Sequence, residues 1–300
     1  MLPGRITPIL VLTILALDLS HARADLVIKS QFNPGQGTLV SMGFDVASDS
    51  LWIYDSSGAQ LRNHSRSGVF LGGIARPGES ANDFDLTFAP NALTLGATPV
   101  GAGTLLAING ESGPAEIYAV NKSDGSVLAT LNTAFGASHV VGGAYHAGRN
   151  TFFLVQDRQP SNPALRSLIA EIDPLTGSVL NTFGTTSVDY TINFGDLEIS
   201  AVTGNLLLVS SDETRIRELT PSGVFVRDLN LPVGVGPLSG LALDEARGEA
   251  WVSSTNGVVY QLGGLTPSAI PEPHPVLLGF IATACVAVLR HPWNRNRSRS

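Results

Sequence analysis

Cysteine is almost absent. The single one, Cys285, lies in an apolar run near the C-terminus, so the body of the chain has neither a disulfide nor a reactive thiol. A body of this length that does without cross-links needs a core large enough to hold itself together. Lysine is scarce too, with only Lys29 and Lys122. Between Asp25 and Ala269 there are twelve Lys and Arg against twenty-three Asp and Glu, a balance of −11 that repels nucleic acid. Histidine is limited in that stretch to His64, His139 and His146. The last two are seven positions apart on one expected strand and do not share a face, so they read as ordinary polar residues. No Gly-x-Ser-x-Gly elbow and no His-Glu-x-x-His helix occurs. Gly101-Ala102-Gly103 and Gly142-Gly143 precede no helix start, which excludes phosphate loops.

Helical periodicity is missing as well. Short runs of Val, Leu, Ile and Phe are separated by Gly, Asn, Asp, Ser and Pro, the pattern of an all-β fold. The runs recur in order. A hairpin leading into an apolar strand appears at Phe44–Ile53, Tyr145–Leu154, Ile199–Leu208 and Leu243–Val252. A later hairpin closes on glycine at Gly68, Gly125, Gly177 and Gly223, spaced by 57, 52 and 46 residues. Its chemistry suits a type I turn ending in a left-handed glycine.

A unit of about fifty residues and four strands is the size of a β-propeller blade. Blade starts are expected near Val40, Asp83, Val140, Gly195 and Leu238, giving five blades. A sixth is the alternative if Asn91 to Gly110 holds another unit, and a pair of β-sandwiches is the plainer architecture. The fifth blade stops after three strands, at Leu262. The early strand Leu26–Ser30 is expected to supply its missing outer strand and to close the ring, which removes open edges. In outline the repeats resemble NHL, WD40-like and lactonase-like propellers, without the Gly-His and Trp-Asp signature of WD40 repeats.

The acids on the expected innermost strands are Asp45, Asp83, Asp85, Asp196 and Glu198. Innermost strands line the propeller axis, so these carboxylates are expected at one mouth, where hard oxygen ligands suit Ca²⁺. Capping of strand ends is the simpler role for them. No other cofactor is indicated.

Both ends carry addresses. Arg5, the apolar stretch Ile9–Leu19 and the small-x-small site Ala22-Arg23-Ala24 read as a signal peptide over residues 1–24, cut between Ala24 and Asp25. The partners this implies are the Sec translocon and signal peptidase. After the propeller domain, 25–262, comes a Gly/Pro/Ser linker, 263–269. Then Pro271-Glu272-Pro273 precedes an apolar helix at about 275–290 and a basic tail at 290–300, headed by Arg290. The fourteen residues 276–289 would rise about 21 Å, short of a hydrocarbon core of about 30 Å, but Arg290 can snorkel and Trp293 suits the headgroup zone. The positive flank orients the helix with its basic end in the cytoplasm.

This tail, over residues 270–300, resembles the PEP-CTERM sorting signal of Gram-negative bacteria. The resemblance implies recognition and cleavage by exosortase, with Pro271, Glu272, Pro273 and Arg290 as the sorting residues. It implies a transient hold in the inner membrane through the C-terminal helix, then residence at the cell surface or in the extracellular matrix. It also implies association with exopolysaccharide or another matrix protein in a biofilm. His291-Pro292-Trp293-Asn294 interrupts the arginine block that family members carry. Two functions follow as expectations: a binding module on an exported propeller, and, as the alternative, a metal-dependent lactonase or esterase at the axial mouth.

Overall fold

The computed structural model describes residues 24–266, apart from 57, 79–81, 138, 159–161 and 163–165. The signal peptide through residue 23, and Pro271, Glu272, Pro273, Arg290 and the apolar tail, lie outside the described residues. Among those described, no helix is long and apolar enough to cross a membrane.

Two short strands, β1 (Ala24–Asp25) and β2 (Val27–Phe32), precede the repeats. The first blade is β3 (Leu39–Asp45), β4 (Ser50–Asp55), β5 (Gln60–Ser65) and β6 (Phe70–Ala75). The second starts with β7 (Phe84–Phe88), inserts a hairpin of β8 (Leu93–Leu95) and β9 (Thr98–Val100), and continues with β10 (Leu105–Asn109), β11 (Glu116–Val120) and β12 (Val127–Asn132). Blade three is β13 (Val140–His146), β14 (Thr151–Gln156), β15 (Leu168–Ile172) and β16 (Val179–Gly184). Blade four is β17 (Asp196–Ile199), β18 (Leu206–Val209), β19 (Arg215–Leu219) and β20 (Phe225–Asn230). The last is β21 (Leu238–Asp244), β22 (Glu249–Ser254) and β23 (Val259–Gly263).

Each blade is an antiparallel meander of four strands, and the five innermost strands, β3, β7, β13, β17 and β21, pack side by side in a closed ring. The fold is therefore all-β, a propeller of five blades. The stretch from Asn91 to Gly110 is not a sixth: β8 and β9 form a two-stranded sheet of their own, and β10 belongs to blade two. Leu93, Leu95 and Val100 of this hairpin extend the apolar wedge between blades two and three.

Five hydrophobic clusters hold the ring, one at each blade-to-blade junction. The alternation of β-strands explains how one run of apolar residues serves two of them. In β4, Trp52 and Tyr54 face blade two, while Leu51 and Ile53 face blade five. In β14, Phe152 and Leu154 face blade two, and Phe153 and Val155 face blade four. Strands buried on both faces read as continuous apolar segments.

Ring closure uses the N-terminal segment. β2 pairs antiparallel with β23, completing blade five, as the unpaired early strand anticipates. β1 adds a fifth strand to blade four, parallel to β20, with Asp25 opposite Asn230. The seam between blades five and one is also charged. Glu249 of β22 accepts from Lys29, Arg66 and Gln261, and Arg66 also reaches Asp244 at 2.7 Å while stacking over Phe44 and Trp251.

The four turn glycines have positive φ, between 71° and 84°. Turn geometry is half of their role. A Cβ at Gly177 would stand 2.1 Å from the Asn132 carbonyl, and one at Gly223 would stand 2.5 Å from the Phe183 ring. Each turn abuts the outermost strand of the preceding blade, so glycine sets blade spacing as well as chain reversal.

Candidate functional sites at the two mouths of the axis

The innermost strands run in the same direction, so their C-terminal ends surround one mouth and their N-terminal ends the other. The C-terminal mouth opens into a cavity of about 580 Å³. Phe44, Phe88 and Tyr145 form apolar wall, Glu198 and Thr87 line it with polar groups, and the exposed Ala102 and half-buried Gly103 complete the lining.

Two of its rim carboxylates, Asp45 and Asp244, are paired with cations. Asp45 accepts from Lys122 at 2.5 Å, from Ser48 at 2.8 Å and from the Ala47 N–H at 3.1 Å. Burial pushes the Asp45 carboxyl up, but these partners outweigh it and hold the group below its ordinary value. Asp244 behaves alike: burial raises it, and Arg247 and Arg66 pull it lower.

Deeper in, Asp85, Asp196 and Glu198 form an acidic column without a cation. Asp85 Oδ2 accepts from the Gly143 N–H at 2.9 Å, and Asp196 accepts from Leu197 at 2.6 Å and Leu241 at 2.7 Å. Asp85 thus ties β7 to β13, and Asp196 ties β17 to β21. Glycine permits the approach, since a Cβ at Gly142 would lie 2.7 Å from Asp196 Cα. Asp85 also meets the Asp196 carboxyl, and Glu198 accepts from the Thr87 hydroxyl. Burial pushes Asp85 up to about 7, against the pull of the Gly143 and Leu86 N–H groups. Asp196 is raised well above the usual carboxylate range by burial, then by Asp85 and Glu198. Glu198 is raised likewise by burial and by Asp85. Burial and mutual repulsion thus favour the neutral carboxyls along this column.

At the opposite mouth, Asp83 precedes β7, His139 precedes β13, and Asp157 follows β14. Asp83 Oδ2 lies 2.7 Å from His139 Nδ1, and Asp157 Oδ1 lies 3.9 Å from the same nitrogen. One ligand atom from each side chain falls within 4.8 Å of the others, the one such group of three among the described residues. Backbone bonds hold them there: Asp157 N–H donates to the His139 carbonyl at 3.1 Å, and Gly110 N–H donates to Asp83 at 2.9 Å. His139 has a left-handed φ of 72°, an uncommon conformation for a residue with a Cβ. Burial raises Asp83 to about 7, with Glu111 adding to the rise and Arg158 opposing it. Burial and Asp83 raise Asp157 to about 6, against His139, Arg158 and the Phe194 N–H.

The five acids expected at one mouth are thus distributed over three places: Asp45 on the cavity rim, Asp85, Asp196 and Glu198 in the column, and Asp83 at the far end. An inner strand is long enough that residues before and after it face opposite solvent. This placement does not support a single Ca²⁺ shared by all five. The column does not bring three ligand atoms within coordinating reach, and its oxygens serve backbone N–H groups instead. In sequence His139 and His146 are alike, two polar residues on one expected strand. They sit at opposite ends of β13, and His139 alone meets two carboxylates. The available signal was positional equivalence: Asp83 and His139 each stand immediately before an inner strand in adjacent blades.

Comparison of the chain with protein-family models and with curated proteins found no match. The functional reading therefore rests on the fold and on these two mouths.

Proposed function

We propose that this protein is an exported binding module, sorted by exosortase through its Pro271-Glu272-Pro273 tail, whose axial cavity holds a ligand at the cell surface or in the extracellular matrix. The observation that carries the binding reading is the cavity itself. Its volume of about 580 Å³ falls in the range of small-molecule clefts, roughly 300–1,000 Å³. Apolar wall from Phe44, Phe88 and Tyr145 beside the carboxyl of Glu198 suits a ligand offering both apolar surface and hydroxyl groups. A sugar unit of an exopolysaccharide has that character. The sorting tail resembles those of proteins that act beside such polymers, and the signal peptide supports export.

Two measurements test the two halves separately. Binding of the purified protein to the host's exopolysaccharide is followed by co-sedimentation, with Ala102→Trp to block the entrance and Glu198→Gln to remove the acid. Loss of binding in both variants, with an unchanged circular dichroism spectrum, is the expected result; retained binding in both removes the cavity from the reading. For sorting, Glu272→Ala is expected to stop maturation while leaving the propeller folded. Maturation at the wild-type rate would show that the motif is not read.

A further inference from the structure

We propose that Asp83, His139 and Asp157 form a binding site for a divalent first-row transition-metal ion, of the class of Zn²⁺, at the mouth opposite the cavity. This inference stands apart from the binding reading above and shares no residue with it. Three observations carry it. First, three side chains from two blades present one ligand atom each within 4.8 Å. Second, Asp157 is 5 % exposed, and its Oδ1, which faces His139 Nδ1 from 3.9 Å, has no hydrogen-bond partner. A buried carboxylate oxygen aimed at a nitrogen beyond bonding distance leaves a group that a cation would satisfy. Third, Glu111 stands close by, accepting from the Asp83 N–H at 3.0 Å, so three carboxylates face one imidazole and one Arg158 guanidinium.

The donor set selects the class of ion. Imidazole nitrogen suits zinc and its neighbours, whereas calcium and magnesium take oxygen ligands alone. Metal–ligand bonds of about 2.0–2.2 Å place adjacent ligand atoms about 2.9–3.5 Å apart. The two nitrogen–oxygen separations of 2.7 and 3.9 Å bracket that range, and all three ligand atoms lie within 4.8 Å of one another. Three protein ligands leave at least one position for water, and His139, with 20 % of its side chain exposed, lies toward solvent. Binding at Nδ1 displaces any proton held there, so uptake of the ion releases protons.

The test is isothermal titration of the purified full chain with Zn²⁺, alongside Ca²⁺, for the wild type and for His139→Gln and Asp157→Asn. The expected result is one Zn²⁺ per chain at micromolar concentration, proton release that scales with buffer ionisation enthalpy, and a loss of at least about tenfold in affinity in each variant. Asp157→Asn keeps the shape of the side chain and guards against loss through misfolding, and circular dichroism checks both variants. Absence of Zn²⁺ binding in the wild type would overturn the site. So would equal binding in both variants, which would place the ion elsewhere, and Ca²⁺ held more tightly than Zn²⁺ would overturn the class of ion.

Discussion

The two mouths of the axis handle buried acids in opposite ways. On the cavity side, blade neighbours supply cations: Lys122 of blade two reaches Asp45 of blade one, and Arg66 of blade one reaches Asp244 of blade five. On the far side, Asp83 and Asp157 share one histidine and keep an oxygen without a partner. Between them the column of Asp85, Asp196 and Glu198 has neither cation nor imidazole, and its partners are backbone N–H groups, the Thr87 hydroxyl and its own carboxyls. Paired carboxylates of the first kind stabilise the ring. Unpaired ones are tolerated where something else is available to neutralise them, and this contrast marks the far mouth as the place for a foreign cation.

The largest effect is expected from removing the cation that serves most partners. Arg66→Ala leaves Asp244 and Glu249, each 3 % exposed, with their remaining partners only, and strips the cover from Trp251. A loss of about 3 kcal/mol in urea unfolding is expected, given that breaking a buried pair costs roughly 3–5 kcal/mol and this one keeps Lys29 and Arg247. A loss below the range of a surface pair would show that the seam is held by β2 alone.

The column responds to pH with a fixed sign. Asp85 is raised in the folded state to about 7 from an ordinary 3.8. Its contribution is therefore fully present below about pH 4 and lost as pH rises through 7. Stability is expected to fall between about pH 4 and 7, and Asp85→Asn, which keeps the acceptor for Gly143, is expected to recover about 2 kcal/mol at pH 8. A flat profile in the wild type would show that the column is ionised and solvated.

A smaller change is expected at the rim. Lys122→Ala removes one partner of Asp45, whose Ser48 and Ala47 bonds remain, at a cost of about 1 kcal/mol, since Lys122 is partly exposed. Because Asp45 is held low by its partners, that contribution is present above about pH 4 and disappears on acidification, opposite in sign to the column. Least of all, Ala102→Trp is expected to change stability by less than about 0.5 kcal/mol, as an exposed substitution. Thermal melting at two pH values separates these cases.

Much of the fold was legible because each unit announces itself twice, once by a strand apolar on both faces and once by a turn glycine. Gly68, Gly125, Gly177 and Gly223 gave the spacing, and the short fifth unit pointed to the early strand as its fourth. What escaped was local. β8 and β9 carry Leu93, Leu95 and Val100 in strand-like alternation, and nothing in that alternation separates a lid on a blade junction from a blade strand. β1 is two residues long and pairs in parallel, which leaves no pattern. At the sites, residue types could be named but ends could not: Asp83 and Asp85 are two positions apart and on one strand side, yet one reaches the far mouth and the other the column. The contact between His139 and Asp157 crosses from β13 to β14 at the end away from their turn, where spacing along the chain carries no periodic signal.

The clasp formed by β1 and β2 has a consequence for how the molecule is made. Lys29 and Glu249 are 220 positions apart, and Ser30 and Gln261 are 231 apart. A ribosome delivers β2 before every blade and its partner β23 after all the other strands, so β2 is among the last strands to be seated. Contacts of such long range slow the search for the native ring. Until then the final blade has an open edge and the leading strand a bare one, a period in which neighbouring molecules compete for both.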